Sequence, residues 1–345
     1  MITIFCGPSH EPFSPKTKEG RGGSEYMVME MAKELAKKEP VKVYNRCQDD
    51  EGTYDNVTYI NYEDFDPEEK TDVIIVWRDP DMILKYEMLK NKAKKYLWLH
   101  DTINPMDVLP FMYLYDGVFT LSKWHREFYT SWINPKHHKQ FIQTRNAIRY
   151  ENIKVDRDPY TIVYGSLYNR GLTQLLNLWP KIKLAVPEAK LRIFYGWQTL
   201  EKIMLPERFK TFKETTEELM NQEGITHLGR ITQKEVWQEY SSAGVWAYPC
   251  IGFDEISCIS AMQAQIAGAI PVVIPRAALM ETVKYGIKST AGSSQEEMLE
   301  NWSDDLIRVL SNPKEQEQVR KVMQKGVRDF TFEKLAEDWR KIWNR

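Results

Sequence analysis

Short β-branched segments alternate with longer segments of helical periodicity, and this alternation occurs twice along the 345-residue chain. Alternation of this kind predicts parallel β-sheets whose strands are joined by right-handed helical crossovers. Two complete sets indicate two α/β domains, since domains cluster near ~100–200 residues. The predicted strands are 2–6, 41–46, 73–77, 96–99 and 118–121 in the first half, and 161–164, 191–195, 226–228, 245–248 and 271–274 in the second.

The predicted fold class is therefore α/β, with two Rossmann-like, doubly wound parallel-sheet domains facing a cleft and a C-terminal helical segment. The domains are predicted at residues 1–155 and 156–330, with a hinge near Glu151–Pro159. Residues 331–345 form an amphipathic helix that can pack back on the first domain. Open α/β sheets bind ligands at the carboxyl ends of their strands, so the chemistry is expected in the cleft.

Charge and hydropathy exclude several classes of protein. A formal net charge of −2 lacks the basic excess of an electrostatically driven nucleic-acid binder. The longest apolar runs, 72–77 and 270–274, fall far short of the ~20 residues that span a membrane. Residues 1–22 lack the pattern of a signal peptide, and the four cysteines form no CxxC pair. We expect a cytoplasmic enzyme with reduced cysteines and no stable membrane span.

One stretch, residues 136–157, is locally basic. It is interpreted either as a solvated face or as a contact for an anionic acceptor or a phospholipid. The residues concerned are Lys136, His137, His138, Lys139, Arg145, Arg149, Lys154 and Arg157.

A glycine-rich loop, Gly20-Arg21-Gly22-Gly23-Ser24-Glu25, precedes the first long helix. Glycines allow a ligand close to the backbone, and a helix N-terminus offers free N–H groups and a positive dipole end. The spacing from the first strand excludes a dinucleotide fingerprint. A phosphate site and an ordinary surface loop both remain open from this segment alone.

Two segments of the second half carry charged residues at strand ends. Arg170 follows the strand at 161–164, where its planar fork can bind a diphosphate. Glu255 follows the strand at 245–248, and the backbone amides of Ser257, Cys258 and Ile259 open the next helix. A surface arginine and a helix-terminal carboxylate are the simpler interpretations.

In the first half, the strand at 96–99 ends in His100 and Asp101. A single histidine is more often structural than functional. Asp79-Pro80-Asp81 has the form of a metal-binding DxD motif, but its position after a strand and before a helix argues against a metal site. No metal ligand is predicted.

Together these segments resemble the family-4 retaining glycosyltransferases of the GT-B fold (glycosyl transferases group 1) along nearly the whole chain. The defining pair of glutamates, with seven residues between them, falls on Glu255 and position 263, where this chain has glutamine. The family often has an arginine shortly before position 170, where Ser166 and Leu167 stand here. Further matches are Gly22-Gly23, His100-Asp101, Leu121-Ser122-Lys123-Trp124, Asn146-Ala147-Ile148, Arg170-Gly171-Leu172 and Ala261…Gln265…Gly268…Pro271.

The resemblance implies roles for these residues in the second domain. Glu255 holds the hydroxyls of the donor sugar, while Arg170 and the amides of 257–259 stabilise the departing diphosphate. Gln263 binds the nucleotide ribose without the charge of a glutamate. The phosphate-binding cation that the family has near residue 166 is either missing here or supplied by Arg230.

In the first domain the resemblance implies that Gly22 and Gly23 complete the phosphate pocket. His100 contacts the sugar near its reacting carbon, and Asp101 positions the acceptor. The implied reaction transfers a sugar from a nucleoside-diphosphate sugar to an acceptor hydroxyl, with retention of configuration and without metal or other cofactor. UDP-sugar is the default donor. The acceptor stays open among a glycan, a lipid-linked sugar, a protein, a small molecule and a modified nucleobase.

Two other functions remain open on the same fold. A nucleotide-sugar epimerase would change the sugar without transferring it. A non-catalytic scaffold would keep the fold and lose turnover, as Gln263 and the missing arginine allow. A dehydrogenase is disfavoured, since neither half has a GxGxxG followed by an acidic residue ~20 positions on.

Overall fold

The structure, a computed structural model, describes residues 1–9, 12–16, 22–150, 153–327 and 329–344. The chain forms two compact units. Unit 1 comprises Met1–Arg149 with Phe330–Arg345, and unit 2 comprises Tyr150–Asp329. The second unit is thus inserted in sequence between two parts of the first. Among the described residues, no helix combines the length and apolarity that crossing a membrane requires.

Unit 1 is built on an eight-stranded sheet of order β3-β4-β2-β1-β5-β6-β7-β8. Every neighbouring pair is parallel except β3 and β4. The central strands are buried along their whole length, as expected where helices cover both faces of a parallel sheet. The strands are β1 (Ile2–Gly7), β2 (Val41–Asn45), β3 (Gly52–Tyr54), β4 (Val57–Asn61), β5 (Val73–Trp77), β6 (Lys94–Trp98), β7 (Gly117–Thr120) and β8 (Phe141–Gln143).

The antiparallel pair β3–β4 and the edge strand β8 are additions to the predicted set. Asp55 and Asn56 join β3 to β4, and both have positive φ, of 50° and 64°. Two positive φ angles are what a two-residue type I′ hairpin turn requires, and short polar residues tolerate them. Because these strands are three to five residues long and partly exposed, their hydrophobic pattern is weak.

The helices of unit 1 lie between its strands, except the last. They are α1 (Gly23–Leu35), α2 (Met82–Lys85), α3 (Pro105–Val108), α4 (Lys123–Thr130) and, returning from the end of the chain, α13 (Phe332–Trp343). Helix α13 contacts α1. Its Trp339 is fully buried, 4.8 Å from both Trp98 and Phe119 between ring centroids. The C-terminal helix therefore completes the core of unit 1.

Unit 2 is built on a six-stranded, wholly parallel sheet of order β11-β10-β9-β12-β13-β14. The predicted capping box, Thr232 with Glu235, begins helix α8 and is confirmed. The strands are β9 (Asp158–Tyr164), β10 (Lys190–Phe194), β11 (Ile225–Gly229), β12 (Ala243–Tyr248), β13 (Ile270–Val273) and β14 (Ile287–Lys288). The helices are α5 (Leu172–Ala185), α6 (Gln198–Ile203), α7 (Pro206–Met220), α8 (Gln233–Ser242), α9 (Ile259–Ala267), α10 (Leu279–Thr282), α11 (Gln295–Leu310) and α12 (Pro313–Gly326).

The two Rossmann-like, doubly wound parallel sheets and the helical C-terminal segment confirm the predicted fold class. Both sheets begin with a central strand, β1 or β9, and the strand order runs outward from it in both directions. In unit 1 the order reverses between β1 and β5, and in unit 2 between β9 and β12. Loops at such a switch point diverge and leave a crevice for ligands.

Candidate functional site

The switch point of unit 2 brings together the two charged residues predicted there. Arg170 lies in the loop after β9, and Glu255 lies in the loop after β12. Nη1 of Arg170 is 3.1 Å from Oε1 of Glu255, and the Tyr248 hydroxyl donates a hydrogen bond of 2.6 Å to the same oxygen. Among the described residues, no hydrogen bond engages Oε2 of Glu255 or Nη2 of Arg170. Each charged group therefore keeps one binding position open.

Burial fixes the protonation of this cluster. Tyr248 is fully buried, and burial followed by the charge of Glu255 raises its pKa well above the usual value. The phenol therefore stays protonated and can only donate to the carboxylate. Burial opposes the charge of Arg170, but Glu255 together with Tyr248, Tyr195 and Cys258 raises the pKa of the guanidinium above its usual value. A permanent cation thus lies at the switch point.

The loop after β9 approaches the loop after β12 closely. Gly171 has a φ of +100°, and a Cβ built there would lie 2.8 Å from the carbonyl oxygen of Pro249. Glycine is required for both reasons. On the other side of the cation, the Arg170 guanidinium lies 3.6 Å from the ring centroid of Phe253. Backbone contact and ring stacking hold Arg170 in one place.

Helix α9 begins beside this cluster. Cys258 is its N-cap, Ile259 is its first residue, and Ser257 precedes both. The first N–H groups of a helix lack intrahelical acceptors and carry the positive end of its dipole. Ser260 donates from its hydroxyl to the carbonyl of Gly165 at 2.9 Å, which ties the start of α9 to the loop after β9. Gln263 lies one turn further along α9 and is buried.

Arg230 lies just beyond the end of β11. The sheet order places β10 between β11 and β9. Arg230 packs instead against the loop after β10, where a Cβ built on Gly196 would lie 2.9 Å from the Arg230 Cβ. Gly196 in turn donates its N–H to the Tyr168 hydroxyl at 2.9 Å. Contacts through Gly196 and Tyr168 thus connect Arg230 with the loop that carries Arg170.

In unit 1 the predicted residues gather around an arginine that the motifs did not single out. Arg78 follows β5 and has a φ of +67°, an uncommon conformation for a residue with a side chain. Its Nη2 donates to the hydroxyl of Ser24 at 2.8 Å, and its Nε lies 2.8 Å from a carboxylate oxygen of Asp101. Arg78 therefore connects the start of α1 to the end of β6.

The glycine pair lies at that start. Gly22 is the N-cap of α1 and Gly23 its first residue, while Gly20 and Arg21 lie outside the described residues. A Cβ built on Gly22 would lie 2.2 Å from Oε2 of Glu25. The Glu25 carboxylate occupies the space beside the helix N-terminus and also faces Arg78, at 3.7 Å. A phosphate at this terminus would compete with Glu25 for Arg78.

His100 is buried between aromatic rings, with centroids 4.4 Å from Trp98 and 6.2 Å from Trp77. Its Nε2 has no hydrogen-bond partner among the described residues. Burial, then the charge of Arg78, lowers its pKa well below the usual value. The imidazole is therefore neutral and has a free nitrogen, which can hydrogen-bond a hydroxyl group.

His125 of α4 contacts the backbone beside His100, at Asp101 and Leu121. Its Nδ1 accepts from the N–H of Leu121 at 3.1 Å, and its Nε2 lies 3.2 Å from the carbonyl oxygen of Asp101. Nε2 therefore carries the proton, and the hydrogen bond fixes the backbone at Asp101. Burial lowers the pKa of His125 to about 4.

This burial predicts a pH dependence of stability. The unfolded histidine is protonated near its ordinary pKa of about 6.5, whereas the folded one stays neutral down to about pH 4. The contribution of His125 to the free energy of unfolding is therefore complete above about pH 6.5 and is lost as the pH falls toward 4. The loss reaches up to about 3 kcal/mol, and His100 adds to it in the same direction. Urea unfolding at several pH values measures the slope. His125→Gln is expected to flatten it, and an unchanged slope would contradict this origin.

A cavity of about 560 Å³ lies at the switch point of unit 1. Its wall includes Trp77, Met82 and Phe111 with the carboxylates of Asp81 and Asp101. The cavity can therefore hold a hydroxylated ligand with an apolar face.

The Asp79-Pro80-Asp81 motif forms part of this wall. Burial, then the charge of Asp81, raises the pKa of Asp79, and Lys85 lies 2.8 Å from Asp81. Asp81 is the N-cap of α2, as expected for a motif that starts a helix. No cluster of three metal-ligating residues occurs in the described part of the chain.

Comparison with known proteins identifies the class. The family model of glycosyl transferases group 1 matches residues 144–326, more than half of the chain. The chain belongs to this family of glycosyltransferases, which transfer sugars from nucleotide sugars. No curated protein matches its sequence.

Solved structures share the fold along the whole chain. Sucrose-phosphate synthase from Thermosynechococcus elongatus has a TM-score of 0.76 at 13% identity, covering 99% of this chain and 98% of that one. Trehalose 6-phosphate synthase from Burkholderia multivorans has 0.70 at 13%, covering 99% and 96%. The catalytic domain of starch synthase IV from Arabidopsis thaliana, bound to ADP and acarbose, has 0.69 at 12%, covering 100% and 98%. Identities this low show a common GT-B fold alone.

Sequence reasoning missed Arg78 and Tyr248 as members of these two clusters. Both stand at the carboxyl end of a switch-point strand, β5 or β12. The strand prediction already placed both residues at strand ends. It did not give the strand order, which is what makes those strand ends a switch point.

Proposed function

We propose that this protein transfers a sugar from a nucleoside-diphosphate sugar to an acceptor hydroxyl with retention of anomeric configuration and without a metal ion. The observation that supports this best is the contact of Arg170 with Glu255 at the switch point of unit 2, beside the N-terminus of α9. A cation and free helix N–H groups suit a diphosphate. A carboxylate beside them suits sugar hydroxyls.

Electrostatic stabilisation of the leaving group is the main contribution that we assign to Arg170. As the bond from the anomeric carbon to the diphosphate breaks, negative charge develops on the departing oxygen. The free Nη2 of Arg170 and the amides of Ser257, Cys258 and Ile259 are donors for that charge, and fixed donors of this kind need no reorganisation during reaction. Phe253 and Glu255 hold the guanidinium in place beforehand.

Glu255 is assigned to the donor sugar. Tyr248 and Arg170 both occupy Oε1, so Oε2 is left for hydroxyl groups. The two contacts also orient the carboxylate. Gln263, buried in the next turns of α9, is assigned to the nucleotide ribose, with amide hydrogen bonds replacing the charged ones of a glutamate. Arg230 is assigned to the nucleotide part from its place beside Gly196.

In unit 1 we assign His100 to the donor sugar and Asp101 to the acceptor. His100 is neutral with a free Nε2, so it can bond a hydroxyl without adding charge beside a cationic transition state. Gly22 and Gly23 are assigned to the phosphates.

The proton balance needs no side-chain base. The acceptor oxygen forms its bond to the anomeric carbon on the face that the diphosphate leaves, and the acceptor proton passes to the departing phosphate oxygen. Such a step preserves the configuration.

The test incubates the protein with UDP-, GDP- and ADP-sugars and follows released nucleotide, with and without EDTA. We expect slow release from one donor, unaffected by EDTA and reduced at least about 100-fold by Glu255→Gln. The structures of similar proteins were determined with ADP and with UDP, so both belong in the screen. Once an acceptor is found, the anomeric configuration of the product tests retention.

Binding in the same samples separates the alternatives. Donor binding without release indicates a transferase that turns over only with its acceptor. A changed sugar without transfer would establish an epimerase. If no nucleotide sugar binds, the transferase assignment fails and a non-catalytic scaffold replaces it.

A further inference from the structure

The basic stretch 136–157 does not form one charged face. Arg145 pairs with Asp338 at 3.2 Å, Arg149 pairs with Glu30, and Arg157 donates to the carbonyls of Ala243 and Ala267. These arginines hold backbone and helices together. The cations that remain for a partner are Lys154 and those at the start of the stretch, in the 3₁₀ helix at Pro135–Gln140.

Lys136 and Lys139 are exposed and have no ion pair among the described residues. Beside them lie two large exposed side chains, Trp132 at 63% and Tyr113 at 61% of their full accessible area. The rings of Tyr113 and His137 are in edge-to-face contact, with centroids 5.3 Å apart. We call these five residues the aromatic–basic surface.

This surface is held rigidly. Arg126 of α4 donates from Nε to the carbonyl of Phe141 at 2.8 Å and from Nη2 to that of His138 at 2.9 Å. Gln140 donates to the carbonyl of Met112 at 3.0 Å, which fixes the neighbouring segment that carries Tyr113. The chain thus uses an arginine and a glutamine to hold exposed aromatic and cationic side chains next to each other.

Helix α4 extends the apolar part of the surface. Trp124 and Phe128 stack with centroids 5.7 Å apart, and Trp132 follows four residues later. Residues spaced by four lie on one face of a helix, as Trp124 and Phe128 do. Phe128 is half-buried against the core, and the exposed ring of Trp132 lies in the turn that follows the end of α4 at Thr130.

Exposed tryptophan and tyrosine beside unpaired lysines are the combination of residues that is typical of surfaces at a bilayer interface. Aromatic rings with a polar tip partition to the headgroup level, and lysines are attracted to anionic lipid headgroups. A soluble polyanion would need the lysines but not an exposed indole. We infer that the aromatic–basic surface docks unit 1 on a bilayer that contains anionic phospholipid. This inference is independent of the proposed transfer reaction.

The test is co-sedimentation with vesicles of phosphatidylcholine alone and of phosphatidylcholine mixed with phosphatidylglycerol, without donor. We expect binding to the mixed vesicles only, weakening as salt is raised. The double variant Lys136→Glu/Lys139→Glu should lose at least about tenfold in affinity, since one lysine near an anionic surface contributes about fivefold. Trp132→Ser/Tyr113→Ser should also weaken binding, because the rings are what enters the interface.

A matched control carries the same types of change on unit 2. Leu184 is 85% exposed on α5, and Lys210 is exposed on α7, so Leu184→Ser/Lys210→Glu should bind vesicles like the wild type. Circular dichroism of each variant confirms folding. Failure of the wild type to bind mixed vesicles overturns the inference. So does vesicle binding that survives Trp132→Ser/Tyr113→Ser, because the aromatic rings of this surface would then play no part in docking. Capture by heparin without vesicle binding also overturns it and would indicate a soluble polyanion.

Discussion

Arg170→Ala is expected to lower the rate of nucleotide release by about 100–1000-fold, the loss typical when a preorganised donor to a developing negative charge is removed. Arg170 is the cation at the switch point of unit 2, held by Glu255 and stacked on Phe253. Arg170→Lys keeps the charge but loses the planar fork, so most of the effect should persist. Steady-state kinetics with the donor found in the screen provides the measurement.

Arg192 offers a matched control for this substitution. It also pairs with a glutamate of unit 2, Glu239, at 2.7 Å, but it lies on β10 away from the loops after β9 and β12. Arg192→Ala removes an arginine–glutamate pair without touching the proposed site, so its rate should stay near that of the wild type. Equal losses in both variants would mean that Arg170 acts through stability alone.

Trp339→Ala is expected to lower the free energy of unfolding by about 3–5 kcal/mol, the usual cost of truncating a large buried aromatic side chain. The indole of Trp339 is fully buried against Trp98 and Phe119, and its Nε1 donates to the Thr144 hydroxyl at 2.8 Å. The substitution leaves both a cavity and an unpaired hydroxyl.

Urea unfolding followed by circular dichroism gives the measurement. Trp132→Ala is the control, since an exposed tryptophan without a structural role should change stability by less than about 0.5 kcal/mol. Similar stabilities for Trp339→Ala and the wild type would show that α13 contributes little to the core of unit 1.

The sequence was sufficient to predict the fold because its local signals agree with one another. Strands β1, β5 and β12 are buried on both faces, so their sequences are nearly continuous apolar segments. Thr232 and Glu235 mark a helix start by side-chain chemistry alone. The strands that escaped prediction, β3, β4, β8 and β14, are two to five residues long and lie at or next to a sheet edge, where partial exposure weakens the pattern.

The candidate site was predicted less completely. Arg170 and Glu255 were identified by type and by position after a strand, and the structure brings them into contact. Whether they and the other predicted residues bind donor or acceptor stays a prediction. Arg78 was not chosen, because its importance comes from contacts with Ser24 and Asp101, which are 54 and 23 positions away. Contacts between residues distant in sequence depend on strand order, which periodicity does not encode.

The return of α13 to unit 1 has a consequence for folding during synthesis. Helix α1 and the face of the sheet around Trp98 are made early, but the helix that covers them is encoded after residue 331. At about 5–20 residues per second, translation from residue 149 to residue 332 takes about 10–40 s. Unit 2 is synthesised whole in that interval. Unit 1 therefore carries an uncovered apolar face on the ribosome for many seconds, and exposed apolar surface of this kind is what makes a nascent chain prone to aggregation.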